Sequence, residues 1–135
     1  MKSISPVLVF IGFLLANNIS AQYCASTATS AADSRCDGVQ LAGNTITLNN
    51  PTTNCGQYTD HTTGQNVPDL TPGSGYTVNI TNGTCGGNYT RFANAWIDFN
   101  NDGDFADANE MLGPGTSSSA TNLFVHAIAF TVPAG

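Results

Sequence analysis

Beyond its N-terminal segment the chain alternates apolar and polar residues with a period of two, the repeat of a half-buried β-strand. Tyr76-Thr-Val78-Asn-Ile80-Thr is the clearest case, with Tyr76, Val78 and Ile80 facing one way. Phe92 to Asp98 places Ala93, Ala95 and Ile97 on one side and Phe92 and Trp96 on the other. Val39 to Leu48 reads as one strand with Ile46 and Leu48 on a shared face, and Leu123 to Val132 as a final strand. Turn formers cluster between these runs, at Asn49-Asn50-Pro51, Pro72-Gly73-Ser74-Gly75, Asn82-Gly83 and Gly113-Pro114-Gly115. A 3.6-residue apolar repeat is scarcely present. Strands of this length with regular turn signals predict an all-β fold, an antiparallel β-sandwich of jelly-roll or immunoglobulin-like type. The last run is followed only by Pro133-Ala134-Gly135, so the sandwich is expected to be incomplete at its C-terminus.

The first residues belong to a different class of segment. Lys2 precedes an apolar run, Val7 to Ala16, that is too short to span a bilayer, and small and polar residues follow. This is the layout of a secretory signal peptide over residues 1–21, cut after Ala21 or Gln22, with an uncleaved anchor as the alternative. Tyr23 stands before Cys24 where a lipoprotein signal wants a small residue, so a lipid anchor is not expected. Residues 22–135 then form a single domain, secreted or held at the cell surface.

Export changes how the four cysteines read. Cys24, Cys36, Cys55 and Cys85 all lie after the signal, and an even number in an exported chain implies two disulfides. Of three pairings, Cys24–Cys36 with Cys55–Cys85 joins near neighbours. A zinc site is the weaker alternative, because no C-x-x-C pair exists and His61 and His126 lack ligand-like spacing. Charge excludes other partners. Without Lys2, only Arg35 and Arg91 face nine acidic residues, about −7. No basic cluster exists for nucleic-acid phosphates or an anionic membrane.

Five of the nine acidic residues fall within Asp98 to Glu110. Oxygen-bearing side chains recur at every second position, Asp98, Asn100, Asp102 and Asp104, and Gly103 follows the third. Like charges about 4 Å apart repel by roughly 4 kcal/mol at an effective dielectric near 20. A hard cation would reverse that penalty. The spacing matches the first half of a calcium loop, D-x-[DN]-x-[DN]-G, whose glycine permits a sharp turn. It is not an EF-hand: a strand leads in through Trp96-Ile97, and Met111-Leu112-Gly113-Pro114 cannot continue as a helix. The twelfth position, which an EF-hand fills with Glu, is Asn109, and Glu110 comes one residue late. Calcium ligands are therefore expected from Asp98, Asn100, Asp102 and Asp104, with Asp107 or Glu110 closing the shell. The competing reading is a solvated acidic turn, since Asp, Asn and Gly favour turns without any metal.

The same residues carry a family resemblance. Trp96-Ile-Asp98-Phe-Asn100-Asn-Asp102-Gly-Asp104-Phe-Ala-Asp107-Ala-Asn-Glu110 resembles the W-I-D-x-N-x-D-G-D-F-x-D-x-G-E signature of GEVED domains. Tyr23-Cys24, Gly56-Gln-Tyr58-Thr59-Asp60-His-Thr62, Leu70-Thr-Pro-Gly73-Ser-Gly-Tyr76-Thr-Val78 and Phe130-Thr-Val132-Pro133 match weaker family segments in the same order. Two residues depart from the pattern: Asn109 stands for Gly and Met111 for Val. Members usually continue into a further strand. The resemblance implies a β-rich accessory module of a large exported bacterial protein, alongside metallopeptidase or adhesion-type domains of the same chain. It does not imply catalysis.

The residues themselves also argue against an enzyme. H-E-x-x-H, G-x-S-x-G and P-loop motifs are absent. Asp60 and Asp69 sit among turn formers, unlike a glycosidase pair. His61 and His126 read as surface or packing residues. The expected function is a calcium-stabilised, non-catalytic extracellular module. One alternative is a carbohydrate- or protein-binding adhesin module using Tyr58, Tyr76, Tyr89 and Trp96, although Trp96 on a strand is expected in the core. Another is the accessory domain of a secreted metallopeptidase whose catalytic domain lies elsewhere.

Overall fold

A computed structural model describes residues 29–30, 32, 34–52, 55–56, 58–114 and 123–134. The signal segment, Cys24, Gly115 and the Ser117-Ser-Ser119 loop fall outside these residues. The described chain is all-β, with six strands and no helix: β1 (Arg35–Ala42), β2 (Thr47–Pro51), β3 (Gly75–Gly83), β4 (Asn94–Trp96), β5 (Met111–Pro114) and β6 (Leu123–Thr131). Four form an antiparallel sheet in the order β2-β1-β3-β6, and β4 and β5 form a two-stranded antiparallel ribbon.

Alternation makes one face of the larger sheet apolar. Leu41, Val78, Ile80 and Ile128 are buried there, with Val39, Leu48, Tyr76 and Phe130 packed around them. Each fully buried aliphatic side chain stabilises the fold by about 1.5–3 kcal/mol. The ribbon covers part of this face, because Ala95 and Leu112, together with Ala93 and Ile97 beside β4, join the same cluster. β3 and β6 pair without a register break from Gly75↔Thr131 to Gly83↔Leu123. The outward row of β6, Leu123, Val125, Ala127, Ala129 and Thr131, is exposed, as a period of two requires.

Four local expectations are corrected. Val39 to Leu48 is not one strand but the end of β1, a turn and the start of β2. Gly43 N donates to Ile46 O at 2.9 Å, and the Asp69 carboxylate accepts the N–H groups of Thr45 and Ile46 at 2.9 and 2.7 Å. A capping carboxylate 23 residues away in sequence leaves no local signal. Ile46 is therefore exposed in the turn, while Leu48 packs on the core.

Asn49-Asn50-Pro51 and Asn82-Gly83 are strand residues, paired with Gln40, Val39 and Gly38 and with Phe124 and Leu123 respectively. Pro51 is tolerated because β2 is an edge strand, where a missing N–H removes no ladder bond. Gly113-Pro114 likewise lies in β5, opposite Ala95 and Asn94, with a register shift beside it. The Pro72-Gly73 turn forms as expected: Gly73 has φ 77°, and Ser74 N donates to Thr71 O at 3.1 Å.

Candidate metal centre

The acidic segment is the connection between β4 and β5. Its two ends are joined where Ile97 N donates to Glu110 O at 2.9 Å, so the fold presents residues 98–109 as a closed loop at a strand end. The every-second-residue spacing has a direct structural consequence. Asn100 Oδ1 accepts Asp102 N at 3.2 Å, Asp102 Oδ1 accepts Asp104 N at 3.2 Å, and Asp104 Oδ1 accepts Ala106 N at 2.8 Å. Each side chain caps the amide two residues on, the Asx-turn geometry. Asp98 closes a wider turn, accepting Asp102 N at 3.3 Å and Gly103 N at 2.9 Å. Gly103 has φ 87°, the left-handed conformation its place in the motif predicts.

This winding brings one carboxylate oxygen each from Asp102, Asp104 and Asp107 within 4.8 Å of one another, all three residues exposed. Oxygens bound to a single calcium ion lie at most about 5 Å apart, given bond lengths near 2.3–2.6 Å. The donor set, three hard anionic oxygens, suits calcium. Asn100 is drawn into the same cluster, its Nδ2 donating to Asp102 Oδ2 at 2.9 Å and Asp107 Oδ2 at 2.6 Å. The amide there does part of what a cation would do, bridging two carboxylates that otherwise repel.

Asp98 is not one of the three convergent residues, and Glu110 is directed elsewhere. Glu110 is 1% exposed, and its carboxylate accepts Phe99 N and Asp107 N, both at 3.2 Å. It ties the start of the loop to its end from beneath. Its one-residue offset from the EF-hand position coincides with this inward placement. Asn109, where the GEVED signature has Gly, has φ 73°, and Asn is among the few side chains that tolerate that conformation. So both the pattern and its departure have one backbone cause.

Other residues singled out in the sequence take structural places. Asp60 accepts Thr62 N at 2.8 Å, which holds its carboxyl below the ordinary carboxylate value. The hairpin amides of Thr45 and Ile46 lower the Asp69 carboxyl as well, to about 2. His126 is fully buried, stacked edge-on to Phe124, and His61 shares a hydrogen bond with Thr52 Oγ1 at 3.1 Å. Trp96 is not in the core: it is 43% exposed, beside the register shift between Ala95 and Trp96. Tyr58, Tyr89 and Phe92 are also exposed.

Cys55–Cys85 forms the expected disulfide. Cys36 is bonded to no described cysteine, and its expected partner, Cys24, lies outside the described residues. Sequence reasoning gave no place to Arg91, which is 2% exposed, or to Arg35 beyond its charge. A lone arginine carries no spacing signal that marks it as buried.

Residues 92–135 match the family model of the GEVED domain. The matched segment runs from just before β4 to the chain end, so it contains the whole acidic loop. Its last strand, β6, pairs with β3 outside the match, and the two parts share one sheet and one core. No curated protein and no solved structure matches the chain.

Proposed function

We propose that this chain is a non-catalytic accessory module of a larger exported protein, stabilised by a calcium ion on its β4–β5 loop. The observation that carries the reading is the convergence of Asp102, Asp104 and Asp107 on one point of the loop surface. Asn100 would join them through its side-chain oxygen after rotating its amide. The GEVED match over this segment supports an accessory role. The Cys55–Cys85 bridge is compatible with an oxidising, extracellular setting, and no helix of the described residues is long and apolar enough to cross a membrane. Asp60 and Asp69 each hold nearby backbone, a structural use that supports a non-catalytic reading.

Calcium would act by linkage. With a Kd near 0.1 mM, in the tighter part of the extracellular range, about 1 mM calcium stabilises the folded state by roughly 1.4 kcal/mol. The test is thermal melting of the oxidised protein in calcium, in magnesium and in chelator. A rise in Tm with calcium that Asp102→Asn and Asp104→Asn together abolish supports the reading. Equal Tm in calcium and chelator refutes it.

A second reading, glycan or protein binding, is favoured by one observation. Trp96 and Phe105, both exposed, line an apolar groove of about 340 Å³ with Leu41, Leu48 and Leu112. Loss of polysaccharide retention in Trp96→Ala with unchanged Tm would support it.

A further inference from the structure

The Cys55–Cys85 bridge is in contact with a cation. Arg35 opens β1 directly opposite Gly83 of β3, two residues before Cys85. Its Nη1 donates to both sulfurs, at 3.0 Å to Cys55 Sγ and 2.9 Å to Cys85 Sγ. The rest of the guanidinium is clamped by Asp37, with Nε 2.5 Å from Oδ1 and Nη2 3.2 Å from Oδ2. Asp37 is the extra residue of a bulge between Cys36 and Gly38, and its carbonyl accepts Thr52 N at 2.6 Å. Both charged side chains are largely buried, 16% and 8% exposed. The bulge thus fixes Asp37, Asp37 fixes the guanidinium plane, and the one remaining nitrogen is aimed at the disulfide.

We propose that Arg35 makes the Cys55–Cys85 disulfide a reducible clasp by stabilising the thiolate that departs when the bond is cleaved. A structural disulfide needs no donor, because divalent sulfur is a weak acceptor. A thiolate is a strong one, and a neighbouring arginine favours it. The reductant class is a dithiol. Its thiolate attacks one sulfur, the S–S bond breaks, and the other sulfur leaves with the electron pair onto the Arg35 N–H. The second thiol of the reagent then displaces the remaining protein sulfur. The reagent ends as a disulfide, the protein gains two electrons, and the two reagent protons balance the two new protein thiols. Leaving-group stabilisation speeds the first step, and thiolate stabilisation shifts the equilibrium toward reduction. Cleavage would free the stretch after β2, where Thr52, Tyr58 and His61 line a cavity of about 300 Å³ with Cys36.

The test follows dithiothreitol cleavage of this one bridge in the full chain, by peptide mass mapping, in wild type, Arg35→Gln and Asp37→Asn. Arg35→Gln should be cleaved about tenfold more slowly, and its dithiothreitol equilibrium should shift about tenfold toward the disulfide, close to 30 mV for a two-electron couple. Asp37→Asn removes the counter-charge but keeps a side-chain oxygen that accepts from the guanidinium and holds its aim, so its bridge should be cleaved at least as fast as in wild type. If Arg35 and Asp37 serve only to hold the fold, losing either loosens the site and both variants are cleaved faster. Acceleration or no change in Arg35→Gln overturns the proposal, as does slower cleavage in Asp37→Asn. Should Arg35→Gln not fold, Arg35→Lys replaces it: the shorter reach to the sulfurs predicts slower cleavage, and equal or faster cleavage overturns the proposal.

Discussion

Replacing Glu110 by Gln isolates the bond pattern that closes the acidic loop. The substitution keeps size and shape but removes the charge and one of two acceptors. In wild type the buried carboxylate accepts Phe99 N and Asp107 N at 3.2 Å each. A hydrogen bond to a charged group contributes about 1.5–3 kcal/mol, roughly twice a neutral one. One bond is lost outright, since the Gln amide nitrogen faces an N–H, and the other becomes neutral. The expected destabilisation is about 2–4 kcal/mol. Because the loop joins β4 to β5, whose Ala95 and Leu112 sit in the core, the loss should appear in global unfolding. Urea unfolding in chelator measures it without any metal contribution, and m should be unchanged. Tm should fall by about 8 °C or more for a domain of this size. Hydrogen exchange at the Phe99 and Asp107 amides should accelerate in step. A change under about 0.5 kcal/mol would refute the assignment of Glu110 as the loop's internal strut.

Three other outcomes follow from the same geometry. Replacing Cys55 and Cys85 together by Ala should cost about 3.5 kcal/mol by the chain-entropy relation for a closed loop of about 30 residues, and a urea-unfolding loss under about 1 kcal/mol would contradict it. Asn109→Gly should be neutral or slightly stabilising and Asn109→Ala destabilising by about 1 kcal/mol, because φ is 73° there; equal stability of the two variants would refute the backbone explanation. Asp69 has its folded pKa depressed to about 2, so its contribution to the β1–β2 turn is full above the unfolded value near 3.9 and is lost as pH falls through about 2. A carboxyl titration by NMR should place its midpoint near about 2, and a midpoint near about 4 would contradict the capping role.

Strand content was legible wherever burial on one face imposed alternation. β3 and β6 were evident for that reason. The fate of Trp96 was not, because alternation assigns residues to two faces but does not say which face is covered. That depends on the partner layer, and the ribbon is only two strands wide. Turn-forming residues misled where edge strands absorbed them, at Asn49-Asn50-Pro51 and Gly113-Pro114. The β1–β2 turn was hidden because the carboxylate that caps it comes from Asp69, far along the chain. In the acidic loop the sequence named the segment and its left-handed glycine. It could not separate Asp102, Asp104 and Asp107, which converge, from the buried Glu110, because all share one side-chain chemistry. Arg35 was invisible as a partner of the disulfide, since neither its neighbours nor its spacing marks that contact.

The calcium reading is tested most directly by titrating calcium into the isotopically labelled, oxidised chain and following each amide by NMR. Saturable shifts confined to residues 98–110 are expected, strongest at the amides around Asp102, Asp104 and Asp107, and absent with Asp102→Asn and Asp104→Asn combined. Unchanged spectra at millimolar calcium, or shifts spread over the sheet with the loop unmoved, would contradict it.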